Sequence, residues 1–180
     1  MRILHTESST VMGGQERRVL AESVGMRERG HEVWIATPPG GDLANRAADV
    51  GIDVILVSFR RRSLPRSALK VASLVRRIRP DVLNSHSSAD SWAVALAGRI
   101  GPRPRALIRS RHISASVAPG PLHSFLYGQA DYLITTGEII RRDLAASGLV
   151  PLERSTSIPT GVDPDRFAPN AEGRTKARRK

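Results

Sequence analysis

The chain has 180 residues, enough for one domain with a substantial buried core, and its 40% hydrophobic content is typical of a globular protein. It contains no cysteine, which excludes disulfide bonds, thiolate zinc sites and a cysteine nucleophile. Its net charge of +11 favours a polyanionic partner, such as nucleic acid, an anionic membrane surface or a phosphorylated ligand. The alternative is a basic, solvated surface without such a partner.

In the first third of the chain, strands alternate with helices. A strand at Ile3-Leu4 ends in the polar run 5–9, and a tight loop with Gly13 and Gly14 follows. A helix is predicted over 15–29 and a strand over 32–37. The apolar residues that predict the buried side of this helix are Val19, Leu20, Val24 and Met26.

The same alternation continues in the middle of the chain. Asp42 is predicted to cap a helix over 42–50, and the continuous apolar run 54–57 predicts a strand covered on both faces. A third helix is predicted over 65–78, a strand over 81–86 and a helix of small residues over 90–98.

Two further strands are predicted over 106–108 and 132–134, with a helix over 122–129 between them. Thr135 and Glu138 match a capping box before a last helix at 139–146. Six or seven strands separated by single helices predict an α/β fold with a parallel, doubly wound, Rossmann-like sheet. We predict one domain over 1–158, with a connector and an unfolded basic tail over 159–180.

Polar residues follow four of the predicted strands. Ligands bind beyond the carboxyl ends of the strands in an open parallel sheet, so these residues are expected to line one crevice. The candidates are Glu7, His86, Asp90, His112 and Thr136. Taken alone, His86 also fits a hydrogen-bonded core histidine and His112 an exposed loop residue.

Gly13 and Gly14 form a candidate phosphate loop, because glycines before a helix let the backbone approach an anion at the helix N-terminus. The loop is shorter than the G-x-G-x-x-G fingerprint, and no acidic residue clearly ends the second strand, which disfavours NAD and FAD. No pair of residues shows metal-ligand spacing. We therefore predict no cofactor and no metal.

Three segments resemble a known family. Leu4-His5-Thr6-Glu7-Ser8-Ser9 followed by Gly13-Gly14-Gln15-Glu16 is similar to the start of family 4 retaining glycosyltransferases, particularly bacterial cell-envelope members. The run 158–163 with Arg166-Phe167 resembles the junction between the two Rossmann-like domains of these GT-B enzymes. Arg111-His112 falls where the family carries a histidine after its fifth strand.

The resemblance implies an N-terminal, acceptor-side domain of a GT-B enzyme. The enzyme would transfer a sugar with retention from a nucleotide-sugar donor to an envelope glycan or lipid-linked acceptor, without a required metal. It implies that Gly13 and Gly14 approach the donor phosphates and that His112 lies near the transferring sugar. Glu7, His86, Asp90 and Thr136 would then belong to the acceptor site or the cleft wall.

The sequence departs from the family by lacking the C-terminal donor domain, as an excised domain, a truncated product or one member of a split pair would. We expect the fragment alone to be inactive. A cytoplasmic location is predicted, with attachment to an anionic inner membrane surface through Arg60, Arg61, Arg62, Arg66 and Arg76. The alternatives are a non-catalytic Rossmann-like nucleotide-binding or regulatory domain and a basic nucleic-acid-binding module. No aromatic residues interleave with the basic ones, so no specific nucleic acid is expected.

Overall fold

The computed structural model describes residues 1–162, Pro164 and Ala168. Three of the residues that carry the family resemblance, Asp163, Arg166 and Phe167, lie outside the described residues. So does the predicted basic tail after residue 171.

Seven parallel strands form one sheet in the order β3-β2-β1-β4-β5-β6-β7. This order confirms the predicted doubly wound topology, in which the chain builds outward from β1 in both directions. The strands are β1 (Arg2–Thr6), β2 (Glu32–Thr37), β3 (Asp53–Leu56), β4 (Val82–Ser85), β5 (Ala106–Arg111), β6 (Tyr132–Thr135) and β7 (Ser155–Ser157).

Single helices connect successive strands from β1 to β7, as the alternation in the sequence predicts. The helices are α1 (Gly14–Glu28), α2 (Asp42–Asp49), α3 (Leu64–Ile78), α4 (Ser88–Ile100), α5 (Pro121–Gly128) and α6 (Glu138–Ala146). A short 3₁₀ turn at Arg61–Ser63 precedes α3, and a second one at Leu152–Arg154 precedes β7.

The side chains of β2 show that the sheet is covered on both faces. Ile35 packs with Val19 of α1 and Leu43 of α2 in one cluster. Its neighbour Ala36 belongs to a different cluster, which contains Leu74 of α3. Successive side chains of a strand point to opposite faces, so α1 and α2 lie on one face of the sheet and α3 and α4 on the other.

Three local predictions were wrong. Asp42 is the first residue of α2 rather than its cap, and Gly41 occupies the cap position. Thr135 ends β6 while Gly137 caps α6, so no capping box forms there. The strand predicted over 54–57 spans Asp53–Leu56 instead and is only partly covered: Val54 and Ile55 pack on opposite faces of the sheet, but β3 lies at its edge and Leu56 is 55% exposed.

Candidate functional site

The predicted polar strand ends do meet at one side of the sheet. In the parallel register Thr6 pairs with Ser85, Ser85 with Arg109, and Arg111 with Thr135. The ends of β1, β4, β5 and β6 are therefore adjacent, and the residues that follow them form what we call the C-terminal rim. Glu7, His86, His112 and Thr136 each come directly after one of these strands.

Three histidines lie in contact in a row that runs from the interior of β1 to this rim, and we call them the histidine row. Nδ1 of His5 lies 2.9 Å from Nε2 of His86, and Nδ1 of His86 lies 3.1 Å from Nε2 of His112. Their rings are stacked, with centroids 5.2 Å and 5.3 Å apart. His5 and His86 are buried and His112 is half-buried.

All three imidazoles are held neutral. Burial lowers the pKa of His5 to about 4. Burial, with the neighbouring His5, His112 and Arg18, lowers the pKa of His86 well below its usual value. Burial and the nearby Arg18 cation also lower the pKa of His112 to about 4. The histidine row therefore presents neutral hydrogen-bonding groups, not positive charges, at neutral pH.

Glu7 lies at the junction of β1, α1 and α4. Its carboxylate accepts hydrogen bonds from the amide of Ser9, the side-chain amide of Gln15 and the hydroxyl of Ser87. Burial raises its pKa, and these three donors oppose that rise. Glu7 is fully buried, so its direct role is to connect the start of α1 to the start of α4.

Asp90 lies under the histidine row. Its Oδ2 accepts hydrogen bonds from the Thr6 hydroxyl at 2.8 Å and from the His86 amide at 3.0 Å. Burial and the negative charge of Glu7 raise the pKa of Asp90 to about 8. Asp90 is therefore mainly protonated at neutral pH. Its hydrogen bond to the His86 amide orients the backbone at that residue.

Gly13 and Gly14 lie exposed at the start of α1. Gly13 occupies the cap position, and its N–H donates a 2.8 Å hydrogen bond to Oε2 of Glu16. A Cβ added at Gly14 would meet no atom within 4 Å. The backbone at Gly14 is therefore open to a ligand, and the first N–H groups of a helix lack intrahelical partners.

Thr136 and His112 are joined where β5 and β6 end. The Thr136 amide donates to the carbonyl of Arg111 at 3.3 Å, and its hydroxyl donates to the carbonyl of His112 at 3.4 Å. Both bonds hold the loop that carries His112 against the end of β6. Thr136 thus supports His112 through the backbone.

Arg18 is a site residue that the sequence pattern did not indicate. It is only 7% exposed although it belongs to α1. Its Nη1 donates to the carbonyl of Ile158 at 2.7 Å and to the Thr160 hydroxyl at 3.2 Å, and its Nε pairs with Glu22. The local sequence around Arg18 does not indicate that this arginine is buried or that its partner lies 140 residues further along the chain.

A groove of about 660 Å³, which we call the Trp92 groove, opens beside the polar rim residues. Its walls come from the region before α3, the start of α4 and the loop before α5, which follow β3, β4 and β5 and so begin at the C-terminal rim. Apolar residues dominate the lining, with two basic groups. They include Leu64, Trp92, Leu122, Arg61 and His123. No pattern in the sequence indicated this groove.

The described residues contain neither a metal-binding cluster nor a membrane-spanning helix. Within residues 1–162, no three histidine or acidic side chains converge as metal ligands would. No helix in that part of the chain has the length and apolar character needed to cross a bilayer.

The fold and the polar rim define a Rossmann-like domain of the kind that forms the N-terminal half of GT-B glycosyltransferases. The sequence model of Glycosyltransferase Family 4 matches residues 12–166. The chain belongs to this family. No curated protein sequence matches it significantly.

Solved structures share the fold at low sequence identity. A glycosyltransferase from Rickettsia africae superposes with a TM-score of 0.76 and 18% identity over 98% of this chain and 48% of that one. Anabaena Alr3699/HepE in complex with UDP-glucose gives 0.74 and 16% over 99% and 49%. The lipopolysaccharide outer core galactosyltransferase WaaB, in its apo form, gives 0.69 and 14% over 91% and 46%. The chain thus spans about half the length of the structures it matches.

Proposed function

We propose that this chain forms the acceptor-side half of a retaining glycosyltransferase. The enzyme transfers a sugar from a nucleotide-sugar donor to an envelope glycan or a lipid-linked acceptor. The observation that carries the proposal is a single rim, in a family 4 domain, that combines an open helix N-terminus, a neutral histidine row and the Trp92 groove.

The Gly13-Gly14 loop is the proposed contact for the donor phosphates. The start of α1 offers unpaired N–H groups and the positive end of the helix dipole, and both favour an anion. The open space at Gly14 lets phosphate oxygens approach the backbone. UDP-glucose bound to the structurally similar Anabaena protein supports a nucleotide-sugar as the donor.

The Trp92 groove is the proposed acceptor site. An aromatic wall suits the apolar face of a sugar ring or an isoprenoid chain, and Arg61 offers a cation to a phosphate. Trp92 is held in place by Phe125 of α5, whose ring stacks on it with centroids 6.2 Å apart. His112 would then contact the transferring sugar, with Glu7, Asp90 and Thr136 shaping the cleft wall beside it.

The remaining donor contacts are proposed to come from a second Rossmann-like domain. Matched structures are about twice as long as this chain, so half of a comparable cleft is present here. No metal is assigned to the reaction, because neutral hydrogen-bond donors and a helix N-terminus can stabilise the leaving phosphates.

The test is transfer of a labelled sugar from a panel of nucleotide-sugars to extracted envelope lipids and glycans. The chain alone should give no useful turnover, whereas the same chain joined to its donor domain should transfer. His112→Ala in the joined protein should lower kcat at least 10-fold while leaving its Tm within a few degrees. Robust turnover by the chain alone would contradict the proposal that a second domain supplies the remaining donor contacts. Nucleotide-sugar binding without any transfer would instead favour a regulatory domain.

A further inference from the structure

In the histidine row, the ring nitrogen that carries the hydrogen can be assigned for each histidine, starting from one end of the row. A neutral imidazole carries one N–H donor and one bare nitrogen acceptor. Each contact along the row joins two ring nitrogens, so one of the two must donate and the other must accept. A single choice of direction therefore sets the tautomer of all three rings.

The buried end of the row decides the direction. Nε2 of His5 is fully buried and has no hydrogen-bond partner within residues 1–162. An N–H left unpaired in a protein interior is rarer than an unpaired acceptor, because its donor loses water without replacement. The hydrogen of His5 is accordingly on Nδ1, which donates to Nε2 of His86.

The same direction then runs to the rim. His86 accepts at Nε2, so its hydrogen is on Nδ1, which donates to Nε2 of His112. His112 accepts at Nε2, so its own hydrogen is on Nδ1. Among the described residues Nδ1 of His112 has no protein partner, and its ring is half-buried at the rim.

We propose that His5 and His86 are positioning residues that hold His112 in the Nδ1–H tautomer, which gives the cleft a neutral hydrogen-bond donor for a sugar hydroxyl oxygen. The identity of the ligand rests on the proposed function, whereas the tautomer does not. The same tautomer also excludes one catalytic role for His112, that of a general base. Its only free nitrogen carries a hydrogen, so it is not available as a general base.

Nitrogen-15 NMR of the histidine rings tests the tautomer directly, because protonated and bare ring nitrogens resonate far apart. The chain contains its own references. Nδ1 of His123 lies 2.8 Å from the Ala118 carbonyl and must donate to it. Nδ1 of His31 lies 3.3 Å from the N-terminal ammonium of Met1 and must accept from it. At pH 7 we expect His112 to show the His123 pattern. The His31 pattern at His112 would overturn the proposal.

Two substitutions at His5 test whether the row sets this tautomer. His5→Leu removes the donor to His86, so His112 should shift to the Nε2–H form that free imidazoles prefer. His5→Asn places an amide N–H close to the position of Nδ1 and should retain Nδ1–H at His112. If His112 keeps Nδ1–H in His5→Leu, the positioning role of His5 is wrong. The wild-type spectrum decides the tautomer even if His5→Leu does not fold.

Measurement of sugar transfer by the two-domain protein distinguishes a failure of this inference from a failure of the proposed function. His5→Leu should lower kcat severalfold, whereas His5→Asn should keep most of the wild-type kcat. If no sugar transfer is found but the NMR pattern is as expected, the proposed function fails and the tautomer assignment stands.

Discussion

At the scale of single residues, Asp90 carries a titration that affects stability. Its pKa is about 8 in the folded chain, against 3.8 for an exposed aspartate. Between these two values the unfolded chain is ionised while the folded chain holds a proton. Rising pH therefore favours the unfolded chain over this window, by up to about 1.4 kcal/mol per pH unit.

Asp90→Asn should remove this dependence while its amide oxygen still accepts from Thr6 and His86. Relative to wild type, the variant should gain stability as the pH is raised from 5 to 8 and level off above 8. Urea unfolding of both proteins at pH 5, 7 and 9 measures the difference. A stability difference that stays constant from pH 5 to 9 would show that Asp90 is already ionised in the folded chain, as pairing with the buried Arg109 would make it.

The two glycines of the proposed phosphate loop offer a matched pair of substitutions. A Cβ at Gly13 would lie 2.9 Å from Oε2 of Glu16, so Gly13→Ala should displace that carboxylate and destabilise the start of α1 by about 1 kcal/mol. Gly14→Ala meets nothing and should leave stability unchanged or slightly raised. Thermal unfolding measures both effects.

Measurement of donor affinity distinguishes an effect of these substitutions on the proposed phosphate site from an effect on folding. In the two-domain protein, Gly14→Ala should weaken nucleotide-sugar binding about 10-fold by calorimetry, because its methyl group occupies the space proposed for phosphate oxygens. Gly13→Val should obstruct that approach further, with an added cost to the helix start. Unchanged affinity in Gly14→Ala would remove this loop from the donor site.

Sequence patterns located most rim residues but not the contacts between them. His86 and His112 were predicted at the rim because each follows a strand, and strand ends can be read locally. His5 lies inside β1, and its partner His86 is 81 residues away. Its lowered pKa depends on that tertiary burial, which no local pattern contains.

At the scale of elements, α3 and α4 pack at close range where Gly101 ends α4. A Cβ added at Gly101 would lie 2.8 Å from the Cβ of Ala72 on α3. Gly101→Ala should therefore destabilise the chain by about 1–3 kcal/mol through overpacking. Chemical denaturation measures the loss.

A double-mutant cycle checks that this contact is the cause. Ala72→Gly with Gly101→Ala exchanges the two side chains, so the double variant should be more stable than the sum of the single effects. Gly128→Ala is the control, because a Cβ there meets nothing within 4 Å. Additive effects in the cycle would assign the loss to another cause.

Strands were predicted correctly where the hydrophobic pattern of the sequence is strong, and they were missed where it is weak. β2 was predicted with its observed bounds, because its apolar residues are flanked by turn residues. β7 was not located, since Ser155–Ser157 contains no apolar residue and is a strand only through its pairing with β6. The apolar run at 54–57 predicted a strand covered on both faces, whereas β3 lies at the edge of the sheet and is only partly covered.

At the scale of the whole molecule, exposed basic side chains on α3 and on the segment before it suit an anionic membrane, and Arg61 of this set also lines the Trp92 groove. Arg60, Arg61, Arg62, Arg66 and Arg76 are all exposed. Leu69 of α3 is 61% exposed among these charges. It adds apolar contact area to the same surface.

Co-sedimentation with anionic vesicles tests attachment after the tail beyond residue 171 is removed. Replacing Arg60, Arg61 and Arg62 by Gln should weaken binding at low salt by about 3 kcal/mol, or roughly 100-fold. The control replaces Arg99, Arg103 and Arg105, which are exposed near the start of β5 at the opposite end of the sheet. Equal losses in both variants would make the attraction nonspecific.

Arg18 also has a mechanical consequence. It fixes the carbonyl of Ile158 and the hydroxyl of Thr160 to α1, one turn after the Gly13-Gly14 loop. These bonds tie the residues that follow β7 to α1 as far as Thr160. If a second domain follows, as we propose, its movement would be transmitted through Arg18 to the helix that we propose holds the donor phosphates.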